Sequence, residues 1–117
     1  MDPSNVALVV LVALVAWQMS RMLLGKVSPE KAKALVADGA TLVDVRTPAE
    51  HAGGHIPGSK NIPVQEVARR VAEIGDKHKP VIVYCASGVR SASAAKTLRA
   101  AGFAEVHDLG SVARWPG

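Results

Sequence analysis

The chain has 117 residues, which is enough for one domain and a short additional segment. Its 14 Lys and Arg residues outnumber its 10 Asp and Glu residues, giving a formal charge of +4. The basic residues form no block interleaved with aromatic ones, so the composition gives no support for nucleic-acid binding. A single cysteine, Cys85, excludes an internal disulfide framework.

An apolar stretch near the N-terminus predicts a transmembrane anchor. Residues 6–17 are apolar without a break, and a helix over residues 6–24 would be about 28 Å long, close to the roughly 30 Å of a bilayer core. A signal peptide is the main alternative, but residues 1–5 carry no Lys or Arg, and no small-residue cleavage pattern follows. A buried core helix is the second alternative. We therefore expect an anchor at residues 1–25 and one domain at residues 26–117.

The charges around this stretch predict its orientation. Arg21, Lys26, Lys31 and Lys33 follow it, whereas no basic residue precedes it. The positive-inside rule then places the domain on the cytoplasmic side of the inner membrane, after a single span. A reducing cytoplasm also suits a free thiol.

The rest of the chain alternates between strand and helix patterns. Ser28-Pro29 and Thr47-Pro48 each predict a helix start, with a hydroxyl N-cap followed by proline. Strands are expected at residues 42–45, 60–62, 81–84 and 104–108, and an amphipathic helix at residues 64–74. This alternation predicts an α/β fold, a mainly parallel central sheet with helices on both faces.

The segment around Cys85 is typical of an anion-binding site. A short apolar strand ends at Cys85, a tight loop runs to Arg90, and an Ala-rich helix is expected over residues 91–101. The free amides of the loop and the positive end of the helix dipole would surround the thiol, and Gly88 permits a positive φ. Such surroundings stabilise a thiolate, which is the reactive form. A small, buried, unreactive cysteine is the alternative.

Four segments together resemble the rhodanese-type sulfurtransferases. Residues 85–90 (Cys-Ala-Ser-Gly-Val-Arg) resemble the active-site loop of that family. Residues 42–50, 54–63 and 108–115 are similar to its two signatures and its closing segment. The resemblance extends from Lys26 to the end of the chain, and it implies a three-layer rhodanese-like fold.

The loop length distinguishes this chain from related enzymes. Four residues separate Cys85 from Arg90, which is the spacing that the family associates with sulfur transfer, whereas related phosphatases use five. An arsenate or phosphate-ester enzyme is therefore disfavoured. The chain departs from the family pattern at His51, where an aromatic residue is usual, and at Ser111, where a second glycine is common.

The resemblance implies transfer of a sulfane sulfur from thiosulfate or a similar anion, through a Cys85 persulfide, to a thiol or a sulfur-acceptor protein. No cofactor is expected. A sulfur-carrier or redox-sensing module at the membrane, with little turnover, is the alternative. The residues expected to bind the donor are those of the loop: Ala86, Ser87, Gly88, Val89 and Arg90.

Three other residues are possible supports of the loop. Asp44 and Arg46 follow a strand, and ligand sites gather at the carboxyl ends of parallel strands. We favour a structural role for both, in which Asp44 bonds backbone amides and Arg46 pairs with Glu50. Ser91 either donates to the sulfur or caps the helix, and the cap is favoured.

Two histidines, His51 and His55, are four residues apart, as metal ligands on one helix face would be. The intervening Gly53-Gly54 argues against a continuous helix. No metal site is therefore expected.

Overall fold

The computed structural model describes residues 2–117, with residues 19–24 described by their backbone alone. The helices are α1 (Pro3–Leu24), α2 (Pro29–Ala37), α3 (Pro48–Ala52), α4 (Val71–Ile74) and α5 (Val89–Ala100). The strands are β1 (Thr41–Asp44), β2 (Lys60–Asn61), β3 (Val81–Cys85) and β4 (Val106–Ser111). Two 3-10 turns cover Val64–Glu66 and Val112–Arg114.

The described strands form one sheet in the order β2-β1-β3-β4, and their pairings are parallel. This confirms the predicted parallel α/β fold. Strand β3 lies inside the sheet, and all five of its residues are buried. Asp44 at the end of β1 pairs with Tyr84 near the end of β3, so the loops that follow these two strands open at the same edge.

Side chains alternate between the two faces of the sheet, and each face carries its own apolar cluster. On one face, Val81, Val83 and Cys85 of β3 pack with Ala94 and Leu98 of α5. On the other face, Ile82 and Tyr84 pack with Ala32 of α2, and Trp115 lies against them. Helices therefore cover both faces, as the sequence predicted.

Both predicted helix starts are confirmed. The Ser28 hydroxyl accepts a hydrogen bond from the Lys31 amide at 3.2 Å. Thr47 forms a complete capping box, because its hydroxyl accepts from the Glu50 amide while the Glu50 carboxylate accepts from the Thr47 amide, both at 3.1 Å. The capping box fixes the direction of the Glu50 side chain.

Three predicted elements differ from the structure. Helix α5 begins at Val89, two residues before its predicted start at Ser91. Residues 64–74 form no single helix, because Arg70 leaves the helical region (φ −114°) between the 3-10 turn and α4. Tertiary packing, rather than apolar spacing, decides the conformation of so short a segment. Strand β4 starts at Val106, not at residue 104, and continues to Ser111. Its register shifts opposite Val83 and Tyr84, and its last residue pairs with Cys85.

The N-terminal segment is helical, and its described large apolar side chains, such as Leu8 (59% exposed) and Leu11 (58%), face outward. Within the described residues, however, no helix combines the length and the apolar character that a membrane span requires. Among the described residues, the transmembrane anchor predicted at residues 1–25 is therefore not found. The side chain of Arg21, used in the orientation prediction, lies outside the described residues.

Candidate active site

The loop between β3 and α5 wraps its backbone around the sulfur of Cys85. Gly88 is the residue that precedes α5, and its φ of +104° and ψ of −10° lie in the left-handed region. This conformation directs the Gly88 amide at Cys85 Sγ over 2.9 Å, and the Ser91 amide lies 3.4 Å from the same atom. The sulfur also faces the N-terminus of α5, where the helix dipole is positive.

These contacts lower the pKa of the Cys85 thiol below its ordinary value. The side chain is fully buried, and burial alone would raise the pKa because it disfavours the charged form. Hydrogen bonds from the Ser91 side chain and amide, and from the Gly88 and Ser87 amides, outweigh burial. The site therefore favours a thiolate held by backbone donors, as the sequence predicted for an anion-binding loop.

Ser91 contacts the sulfur rather than capping α5. Gly88 occupies the cap position, and α5 has no side-chain cap bond. The Ser91 hydroxyl lies 3.6 Å from Cys85 Sγ and donates to the Gly88 carbonyl over 3.1 Å. The N-cap interpretation of Ser91 was therefore wrong. When Cys85 is a thiol, it donates to Ser91 Oγ. When Cys85 is a thiolate, it accepts from the Ser91 hydroxyl, which must then rotate away from the Gly88 carbonyl.

Arg90 is bound by a carboxylate. Its Nη1 donates to Glu50 Oε1 at 2.7 Å and its Nη2 to Glu50 Oε2 at 3.0 Å. The Arg90 guanidinium is the largest cause that lowers the pKa of Glu50 to about 2, followed by the Thr47 amide. The predicted Arg46–Glu50 pair was wrong, because the capping box holds Glu50 where Arg90 reaches it.

Asp44 and Arg46 form a buried cluster beside the loop. Asp44 is fully buried and accepts from the Arg46 amide (2.9 Å), from Arg46 Nη2 (2.8 Å) and from His51 Nδ1 (2.8 Å). Arg46 also donates to the Gly54 carbonyl at 2.7 Å. Within the described residues no hydrogen bond joins Asp44 or Arg46 to Cys85, and the cluster ties β1 to the turn that follows α3. His51, where the family usually has an aromatic residue, takes part in this cluster.

Comparison with known proteins gives the family. A family model described as a rhodanese-like domain matches residues 28–116 of the chain. The chain belongs to the rhodanese-like family. The resemblance noted in the four sequence segments is thereby confirmed, although a membrane-anchored type is not shown.

Curated relatives of this rhodanese-like chain include a sulfurtransferase and a protein of undefined activity. It is 39% identical over 84 residues to the thiosulfate sulfurtransferase GlpE of Pseudomonas entomophila, covering 72% of this chain and 76% of that protein. It is 47% identical over 79 residues to the uncharacterized protein YqhL of Bacillus subtilis. The matched part spans 62% of the length of YqhL, so less than two thirds of that relative is represented.

Solved structures of the family have the same fold. The human single-domain sulfurtransferase TSTD1 superposes with a TM-score of 0.69 at 28% identity, covering 78% of this chain and 94% of TSTD1. A rhodanese with anions from E. coli superposes with a TM-score of 0.62 at 34% identity, covering 65% of this chain and 91% of that protein.

Besides Glu50, sequence reasoning missed Lys26, which also contacts the rhodanese-like loop. Lys26 Nζ donates to Asp108 Oδ2 at 2.6 Å and lies 3.4 Å from the Gly88 carbonyl oxygen. Asp108 in turn accepts from the Gly110 amide at 2.8 Å. Lys26 and Asp108 are 82 positions apart, so the sequence carries no local signal for this ion pair. Lys26 therefore contacts the carbonyl of the same residue whose amide faces Cys85.

Proposed function

We propose that the protein is a sulfurtransferase that accepts a sulfane sulfur from thiosulfate or a similar anion as a Cys85 persulfide and passes it to a thiol or a sulfur-acceptor protein. The observation that carries this proposal is the 2.9 Å hydrogen bond from the Gly88 amide to Cys85 Sγ, beside the Ser91 donors. Amides aimed at a buried sulfur stabilise both a thiolate and the anion that replaces it. The thiosulfate sulfurtransferase relatives support the same activity.

The first half-reaction requires no group outside the loop and the donor. The Cys85 thiolate attacks the outer sulfur of thiosulfate, a new S–S bond forms, and the bond to the sulfonate sulfur breaks. Sulfite leaves with the electron pair, and the negative charge stays on the terminal sulfur of the persulfide. The Gly88 and Ser91 amides, which bind the thiolate, are placed to bind this charge in turn.

The second half-reaction returns the enzyme to its starting state. The thiolate of an acceptor attacks the terminal sulfur, takes it over, and releases the Cys85 thiolate. Because the first product leaves before the acceptor reacts, we expect ping-pong kinetics. Among the loop residues, Ala86, Ser87 and Gly88 contribute their backbone amides to donor binding. Val89 is 76% exposed, on the side where an acceptor would approach.

The cytoplasmic location of the domain stays a prediction. It depends on the four basic residues that follow the apolar stretch and on the need for a reduced thiol. A reporter fused after Gly117 tests it, since activity only in the periplasm would contradict this location.

The decisive experiment measures turnover and the covalent intermediate together. Thiocyanate formation from thiosulfate and cyanide is followed for the full chain and for Cys85→Ser, with intact-mass analysis after donor treatment. Activity and a one-sulfur mass gain, both lost in Cys85→Ser, are expected. A mass gain without turnover would instead favour a sulfur carrier. No mass gain from thiosulfate, a thiosulfonate or a persulfide would overturn the proposal.

A further inference from the structure

The guanidinium of Arg90 already binds a carboxylate in the free protein. Both of its terminal nitrogens bind the two oxygens of Glu50, at 2.7 and 3.0 Å. The same carboxylate accepts from the amide and the hydroxyl of Thr47, each at 3.1 Å. Glu50 is therefore anchored from its own helix, and a donor anion cannot take over this edge of the guanidinium without displacing an anchored carboxylate.

The pair changes the electrostatic character of the site. Glu50, with a pKa of about 2, is ionised at every working pH, so Arg90 and Glu50 together carry no net charge. The hydrogen bond to Glu50 is the main cause that raises the pKa of Arg90, and the charge of Cys85, at the other end of the same loop, raises it further. The positive potential at the sulfur then comes mainly from backbone amides and is weaker than it would be beside an unpaired Arg90. Because electrostatic free energy scales with the charge of the anion, this weakening disfavours a doubly charged donor more than a singly charged one.

We propose that Glu50 is a specificity-determining residue, and this inference rests on the proposed sulfurtransferase function. By neutralising Arg90, it makes the loop favour singly charged sulfane-sulfur donors, such as thiosulfonates and persulfides, over doubly charged thiosulfate. With a thiosulfonate, the Cys85 thiolate attacks the outer sulfur, the S–S bond of the donor breaks, and a sulfinate leaves with the electron pair. No further reactant is needed.

The test removes the charge and keeps one acceptor oxygen. Glutamine replaces glutamate naturally in a capping box, so Glu50→Gln retains an oxygen acceptor for Thr47 or Arg90. Two donors are compared, thiosulfate and methanethiosulfonate, which carry the same type of reacting S–S bond and differ by one charge. Electrostatic free energy scales with the charge of the donor. We expect kcat/KM to rise about tenfold for thiosulfate and about threefold for methanethiosulfonate.

Glu73→Gln is the matched control. Glu73 binds Arg70 through two hydrogen bonds of 2.7 and 2.8 Å, on an exposed surface outside the loop. The substitution changes the net charge of the protein by the same amount. We expect kcat/KM for both donors to stay at the wild-type values.

A binding measurement separates this inference from the proposed function. Sulfate and methanesulfonate carry two charges and one, and neither donates sulfur, so their protection of Cys85 against iodoacetamide reports anion affinity alone. Protection by sulfate should increase about tenfold in Glu50→Gln, and protection by methanesulfonate about threefold. Failure of wild-type Cys85 to form a persulfide, together with this shift, would overturn the activity and leave the role of Glu50 in anion selection.

Other outcomes would overturn the role of Glu50. An equal change for both anions and both donors, or no change, would show that charge selection does not depend on this residue. A fall in kcat/KM for both donors would show that Glu50 positions Arg90 for binding instead of opposing the second charge.

Discussion

The Gly88 amide lies 2.9 Å from Cys85 Sγ, while the carbonyl of the same residue faces the Lys26 ammonium and the Ser91 hydroxyl, at 3.4 and 3.1 Å. The positive φ of Gly88 allows both contacts at once. The backbone at this position therefore links the reactive sulfur to a side chain on the outer side of the loop.

Replacing Gly88 by alanine should disrupt this arrangement. A Cβ there would meet Lys26 Nζ at 3.4 Å and the Gly110 Cα at 3.6 Å, in a backbone conformation that costs an L-residue about 1–2 kcal/mol. We expect the Gly88 amide to move off the sulfur and the pKa of Cys85 to rise. The pH dependence of alkylation by iodoacetamide measures this, because Cys85 is the sole cysteine.

Gly39→Ala is the control for backbone strain. Gly39 has nearly the same φ, +102°, and no heavy atom lies within 4 Å of an added Cβ. It should lower the free energy of unfolding by about 1–2 kcal/mol and leave the alkylation profile of Cys85 unchanged. A wild-type profile for Gly88→Ala would contradict the role of this amide.

Ser91→Ala should also raise the pKa of Cys85, since it removes the side-chain hydrogen bond that acts most strongly against burial. A hydrogen bond to a charged group is worth about 1.5–3 kcal/mol, so persulfide formation near neutral pH should slow by at least about fivefold. Stopped-flow measurement of persulfide formation against pH should show the profile displaced to higher pH. Ser93→Ala, at an exposed position of the same helix, should react like the wild type.

The sequence was sufficient for the catalytic loop because that loop is contiguous. The strand end at Cys85 and the glycine at 88 are fixed by near neighbours, and so are the hydroxyl caps at Ser28 and Thr47. The start of α5 was predicted two residues too late, at Ser91 instead of Val89. Such features follow from local backbone chemistry.

The pairing of charged side chains was not predictable in the same way. The sequence places Glu50 near Arg46, yet Glu50 binds Arg90, which is 40 residues away, and Arg46 binds Asp44 instead. These partners are decided by how β1, α3 and α5 pack. The same holds for residues 64–74, where the apolar spacing fits a helix but Arg70 interrupts it.

The buried Asp44 should make stability depend on pH in the acidic range. Burial alone would raise the pKa of Asp44, but hydrogen bonds from Arg46 and His51 outweigh it and lower the pKa. The resulting stabilisation is fully present above the unfolded pKa, about 3.9, and is lost as pH falls through the lower folded pKa. Urea unfolding of the wild type and of Asp44→Asn between pH 7 and pH 2 measures this.

Asp44→Asn should lower the free energy of unfolding at pH 7 by about 3–5 kcal/mol, because it leaves Arg46, 8% exposed, without its carboxylate. The difference between the variant and the wild type should shrink as the wild type is acidified. Asp38→Asn, at an exposed position after α2, should follow the wild-type curve. A constant difference across the whole pH range would show that Asp44 is not the group responsible.

Lys26 should matter both for stability and for the loop. Lys26→Met leaves Asp108, whose side chain is 5% exposed, with the Gly110 amide as its described partner. An uncompensated buried acceptor costs about 1–3 kcal/mol, and more when it is charged. The variant also removes the ammonium beside the Gly88 carbonyl, so the alkylation profile of Cys85 should move to higher pH.

A second substitution separates the two effects of Lys26. Asp108→Asn in the Lys26→Met background removes the unpaired charge and keeps an acceptor for the Gly110 amide, so most of the free energy of unfolding should return. The contact with Gly88 is not restored, so the alkylation profile should remain displaced. Lys31→Met, at an exposed position of α2, should change neither measurement. If the profile returned to that of the wild type together with stability, Lys26 would act on the sulfur only through general stability, and the link from Lys26 through Gly88 to Cys85 would be wrong.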